Sequence, residues 1–134
     1  MNYEIVKYDP SFKGQTLALQ DHLWGGFARR NKAYFEWKFE QNPYLADTNI
    51  YLAIHQNKVV GMRGMFGGKW ALGPDIPELV IPLSSDTVIA PEHRKFGLLE
   101  KLSTFAAKDL AAQGYPLVGI ASAGRATMRG STPA

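Results

Sequence analysis

The chain has 134 residues, 46% of them hydrophobic and 20% charged, with a net charge of +3; this is one domain's worth of core, neither disordered nor fibrous in composition. It holds no cysteine, which excludes disulfides, thiolate zinc sites and a cysteine nucleophile and fits a reducing, cytoplasmic setting. No run of Lys or Arg marks a nucleic-acid patch, no segment approaches the ~20 apolar residues of a membrane span, and the opening MNYEIVKYDP lacks an apolar stretch of signal-peptide length.

The elements alternate between strand and helix. Tyr3 to Tyr8 alternates in polarity and stops at Asp9-Pro10, a first strand. Phe12 to Trp24 carries Leu17, Leu19 and Leu23 and ends at Gly25-Gly26, a first helix. Asn31 is placed to cap a second helix, Lys32 to Gln41, which Asn42-Pro43 ends. Ile50 to His55 and Lys58 to Leu72 read as a hairpin across Gln56-Asn57. Gly61, Gly64, Gly67 and Gly68 mark a bulge or a close neighbour in its second arm. A loop with Pro74, Asp75 and Pro77 leads to a long strand, Leu79 to Ala90, interrupted by Pro82 or beginning beyond it. Leu98, Leu99, Leu102, Phe105, Ala106 and Leu110 then form one helical face, with Gly114 just past its end. Tyr115 to Ala121 reads as a buried strand, which makes a crossover unit with parallel strands. There is no repeat and no linker.

Between that long strand and that amphipathic helix lies PEHRKFGLLEKL, Pro91 to Leu102. Free amides and the positive end of a helix dipole make such a seam a natural holder of phosphate; a solvated surface turn has a similar composition. The other constellations lead elsewhere. His22, His55 and His93 lack metal-ligand spacing. Ile120-Ala121-Ser122-Ala123-Gly124 resembles a nucleophile elbow, but Ile120 replaces its first glycine, which argues against a hydrolase. Trp24, Phe27, Tyr34 and Trp37 read as core by their helical spacing, with a pocket lining as the alternative. Arg29-Arg30 reads as a solvated loop, or as an attractor of an acidic ligand.

The order of elements, together with Val88-Ile89-Ala90-Pro91-Glu92-His93-Arg94-Lys95-Phe96-Gly97-Leu98-Leu99, resembles the GNAT superfamily of acetyl-CoA-dependent N-acetyltransferases. Arg94 and Gly97 match its signature of Arg or Gln, two residues, Gly, one residue, then Gly or Ala; Leu99 departs from it. Trp37 to Pro43 and Ser85 to Val88 are similar to stretches of a branch with a longer N-terminal helical region.

The resemblance implies a single α/β domain over 1–134: a mixed, mostly antiparallel sheet flanked by helices, with one parallel strand-helix-strand unit at the cofactor site. It implies acetyl transfer from acetyl-CoA to a small-molecule or peptide amine by direct attack, without metal, nucleic acid or membrane. The pyrophosphate would rest on amides of Lys95, Phe96, Gly97, Leu98 and Leu99, with Arg94 or Lys95 adding charge, and Gly97 would let the backbone approach without a Cβ. Pantetheine would bond to Thr87, Val88 and Ile89, where a backbone N–H also stabilises the oxyanion. Asp86 is the candidate base; its alternative is a structural carboxylate bonded to Ser84 or Ser85. The family's usual proton donor, a tyrosine after the fifth strand, has no counterpart after Tyr115. The tail GRATMRGSTPA lacks the periodicity of the family's further helix and strands, so the chain resembles the N-terminal part of a longer enzyme. An exposed fifth strand would then invite homodimerisation. The other reading is a coenzyme A or acyl-CoA binding module without activity, or an inactive truncated domain.

Overall fold

The computed structural model describes residues 2–45, 47–71, 73–75, 78–115 and 117–120. Five strands form one sheet in the order β1 (Glu4–Lys7), β2 (Ile50–His55), β3 (Lys58–Trp70), β4 (Leu79–Ile89) and β5 (Gly119–Ile120). The first four pair antiparallel and β4 pairs with β5 in parallel, so the sheet is mixed and mostly antiparallel, as the family resemblance implies.

The β2–β3 hairpin turns on Gln56 and Asn57, whose φ values of 50° and 63° give both central residues the left-handed backbone that matches strand twist. Its second arm passes under a neighbour. A Cβ on Gly64 would lie 2.6 Å from the Phe39 ring and 2.9 Å from the Ser85 carbonyl oxygen, so only glycine fits there. Pro82 is carried inside β4, opposite Gly67 and outside the segment that β5 pairs.

Both faces of the sheet are covered, which is why Ile50, Tyr51, Leu52 and Ala53 are all fully buried. Ile50 and Leu52 pack with Leu19, Phe35 and Phe39 under the N-terminal helices. Tyr51 and Ala53 pack with Leu98, Leu102 and Leu110 of the later helix. Burying each such aliphatic side chain contributes roughly 1.5–3 kcal/mol.

The helices are α1 (Lys13–Trp24), entered by a 3-10 turn over Pro10–Phe12, α2 (Ala28–Phe35) and α3 (Leu98–Ala112). Two boundaries differ from the sequence reading. α2 begins at Ala28, so Asn31 is not its cap: its side-chain amide donates to the Gly25 carbonyl (2.7 Å) and closes the end of α1 instead. The chain then continues as a π-helical turn over Glu36–Glu40, where the Gln41 N–H reaches the Glu36 carbonyl at 2.9 Å. That wider turn buries both Lys38 and Phe39. α3 buries most of the expected stripe, but Phe105 is exposed and meets the Tyr51 ring edge-on. The expected buried strand from Tyr115 is corrected too. Leu117 and Val118 are exposed, and only Gly119 and Ile120 pair, with Leu83 and Ser84; an apolar run shows hydrophobicity, not the presence of a covering layer. Ala121 and the tail lie outside the described residues.

Candidate functional site

Between β4 and α3 the backbone does something ordinary residues avoid. After a single turn over Pro91–His93, Lys95 takes φ 70° and Gly97 φ 73°. Two left-handed residues within three positions turn the chain sharply into α3, and the non-glycine one is the kind of strain that clusters at binding sites. No side chain caps α3, so the amides of its first turn stay free. The Arg94 guanidinium folds back, its Nε–H donating to the Ile89 carbonyl at 3.0 Å.

A cleft of about 450 Å³ opens here. It is lined by Thr87, Val88 and Ile89 of β4, by Arg94, Lys95, Gly97, Leu98 and Leu99 of the seam, and by His22, Leu23 and His93. Eight of the nine residues proposed from sequence for the cofactor therefore share one cavity. Phe96 does not line it; its ring packs toward Tyr3, centroids 6.1 Å apart. His22 and Leu23 were invisible from sequence because only tertiary packing brings the end of α1 to this strand. Tyr3 also bonds His93 Nδ1 through its hydroxyl at 2.9 Å, and His55 stacks beside both.

On its other flank β4 is bulged. Gly64 faces Ser85 and Met62 faces Val88, so Asp86 and Thr87 together stand opposite Arg63. Asp86 has φ 54°. Its carboxylate accepts from Gln20 Nε2 (2.9 Å), Lys38 Nζ (3.2 Å) and Ser85 Oγ (3.0 Å), and its side chain is 1% exposed. Lys38 spends its remaining donors on the Tyr34 hydroxyl (2.8 Å) and on Ser85 Oγ. Of the hydroxyl partners expected for Asp86, Ser85 is the one bonded; Lys38 and Gln20 carried no sequence signal of burial. Opposite them Arg63 is buried; among the described residues it has a long contact from Nη1 to Thr87 Oγ1 (3.4 Å) and no acceptor for its Nε. Burial pushes its pKa down from the ordinary arginine value.

Past Ser84, β4 has no strand beside it on the β5 side among the described residues. Its flank from Ser85 to Ile89 therefore opens toward the cleft. Linear ligands bond such free strand flanks as a partner strand does.

Phe35 and Phe39 are core, but three of the four aromatics read as core from helical spacing are not: Trp24, Phe27 and Trp37 are 42%, 61% and 65% exposed. Trp24, Tyr34 and Trp37 form a ladder, with centroids 5.6 and 6.0 Å apart. It borders hollows of about 380 Å³ and about 230 Å³. Arg29 and Arg30 lie on α2 rather than in a loop, and Arg30 sits over the Phe27 ring at 4.4 Å. Among the described residues no group of three His, Cys, Asp or Glu side chains is placed to hold a metal, and no helix is long and apolar enough to cross a membrane.

No protein-family model matches the sequence, and no curated protein matches it. Solved structures do. An aminoglycoside N-acetyltransferase in complex with CoA aligns at TM-score 0.70 and 14% identity, over 96% of this chain and 82% of its own. A predicted acetyltransferase with acetyl-CoA from Clostridium acetobutylicum aligns at 0.74 and 10% identity, over 96% and 87%. A GCN5-related N-acetyltransferase from Kribbella flavida aligns at 0.77 and 16% identity over 96% of this chain, which spans 32% of that larger protein. With its bulged fourth strand, its opened flank and the left-handed turn into α3, the chain has the fold of the GCN5-related N-acetyltransferases.

Proposed function

We propose that this protein is an N-acetyltransferase that moves an acetyl group from acetyl-CoA to an amine by direct attack. The observation that carries this is the single cleft in which free first-turn amides of α3 meet the opened flank of β4. The fit to acetyl-CoA rests on this chain's groups. The Lys95-to-Leu99 turn presents amides at a dipole-positive helix end, suited to the pyrophosphate. The Thr87-to-Ile89 backbone offers a strand-like edge for pantetheine and an N–H for the oxyanion of the tetrahedral intermediate. Acetyl-CoA supplies an activated acyl carbon. The amine nitrogen bonds to that carbon, the carbon–sulfur bond breaks, and the proton shed by the amine ends on the departing thiolate.

For Asp86 the structural alternative has the better support. A 1%-exposed carboxylate that already accepts from Lys38, Gln20 and Ser85 suits holding the bulge better than taking a proton from an amine. Solvent in the open cleft then relays the amine's proton to the thiolate.

The test is thiol release from acetyl-CoA with a panel of amines, beside calorimetry of coenzyme A binding. Gly97→Asp forces a Cβ into φ 73° and sets a carboxylate beside the phosphates, so affinity should fall by about tenfold or more. Retained affinity in that variant removes the phosphate assignment. Tight binding with no thiol release for any amine would instead identify a coenzyme A binding module.

A further inference from the structure

The two hollows on the helix side of the bulge share an unusual composition. Tyr34 borders both, with Trp37, Phe66 and the side-chain amides of Gln41 and Asn42 in the larger, and Trp24 and Arg30 in the smaller. No carboxylate is among their lining residues. Of the nearby acids, Asp86 pairs with Lys38, while Asp21 has an amide bond from Asn31 at 3.3 Å but no ion pair among the described residues. Two cations, Arg29 and Arg30, make none either, so positive charge is in excess. The smaller hollow follows the cofactor cleft along α1: His22 and Leu23 line the cleft, and Trp24, the next residue, lines that hollow.

Resting on the acetyl-transfer reading, we propose that the acceptor is a ring-bodied amine that also carries an anionic group, phosphate or carboxylate. The ring lies against the Trp24–Tyr34–Trp37 ladder, the amide of Gln41 bonds its polar rim, and Arg30 meets the anion; the Asn42 amide is held by Gly67 and Tyr44 and shapes the wall. A polycation finds no carboxylate here and meets like charge, so it is excluded by the same surface that admits the anionic amine.

The experiment compares anionic amines with neutral counterparts on the intact chain: glucosamine 6-phosphate against glucosamine, phenylalanine against phenylalaninamide, with spermidine as the polycation. Binding is followed by tryptophan fluorescence, and transfer by thiol release. The anionic member of each pair should lead by about fivefold, the worth of one partly screened charge pair. Arg30→Gln should erase that lead, and Trp37→Ala should raise the acceptor KM while leaving the KM for acetyl-CoA in place. Whichever pair shows the lead distinguishes phosphate from carboxylate. Spermidine as the best acceptor, or an unchanged ranking in Arg30→Gln, overturns the proposal while acetyl transfer stands. The expected binding order without any thiol release would uphold the acceptor site and remove the transfer reading. Absence of both binding and transfer for every anionic amine overturns the proposal as well.

Discussion

An aspartate held at φ 54° inside a strand costs about 1 kcal/mol, and here a buried lysine holds it in place. Lys38 fills the space between the bulge, Tyr34 and Ser85, so the turn that aims Thr87 and Val88 at the cleft is pinned from the helix side. Lys38→Met would leave the Asp86 carboxylate buried without its counter-ion, with an expected loss of about 3–5 kcal/mol and weaker acetyl-CoA binding. The double variant Lys38→Met, Asp86→Gly should recover part of both losses, because glycine adopts that φ unaided and the carboxylate is gone, although Gln20 Nε2 loses its acceptor. Thermal melts and calorimetry on the pair decide it: a double variant as weak as the single one refutes the pin. If affinity returns but turnover does not, Asp86 is the base after all. The sequence reading held Asp86 and its Ser85 partner, but not the lysine that pins them. Lys38 reads there as an ordinary polar position between Trp37 and Phe39, and only the π-helical turn rotates it inward.

At the scale of elements, α3 is fastened to the sheet by more than its leucines. Asp109 accepts from the Tyr51 hydroxyl (2.7 Å) and from Gln113 Nε2 (2.8 Å), and pairs with Lys7 of β1 at 3.2 Å. Burial alone would raise its pKa, but the bonds from Tyr51, Lys7 and Gln113 outweigh that and hold it below the ordinary carboxylate value. A folded pKa below the unfolded one means stability that is complete above roughly pH 4 and fades as pH falls through the folded value. Asp109→Asn should therefore cost about 1–2 kcal/mol at neutral pH and flatten the acid limb of stability. Urea midpoints measured from pH 7 to pH 3 check this; an unchanged slope would show that Asp109 plays no part. The elements themselves were legible wherever chemistry is local. The Gln56-Asn57 turn, the Gly25 and Gly114 stops and the periodic face of α3 each follow from a few neighbouring residues. The start of α2 was not, because Asn31 has a capping residue's chemistry and uses it on a different helix.

For the whole molecule, the sequence pattern carried the β2–β3 hairpin and the parallel β4–β5 pair, since turn chemistry and crossover length constrain topology strongly, while the layering came from the family resemblance. It could not carry which side chains converge. The cleft draws on α1, β4 and the seam, and the aromatic ladder reads as core until its exposure is seen. Among the described residues β5 ends the sheet, with Leu117 and Val118 exposed beside it. Such an edge favours pairing with a second copy, so sedimentation should show concentration-dependent association that Leu117→Lys weakens. An ideal monomer at every concentration would exclude the edge as an interface.

The left-handed turn at Lys95 and Gly97 has a kinetic corollary. The groups that would grip the nucleotide end sit in the seam, whereas the acetyl carbon would lie along β4. Spent coenzyme A therefore keeps nearly every contact that the acylated form makes and has little reason to leave first. Free coenzyme A should inhibit competitively against acetyl-CoA with a constant close to the donor's own affinity. Its escape, rather than amide formation, should limit turnover, as it does in many enzymes. A pre-steady-state burst of acetylated product, one equivalent per cleft, would reveal that order of events, and a linear onset would contradict it.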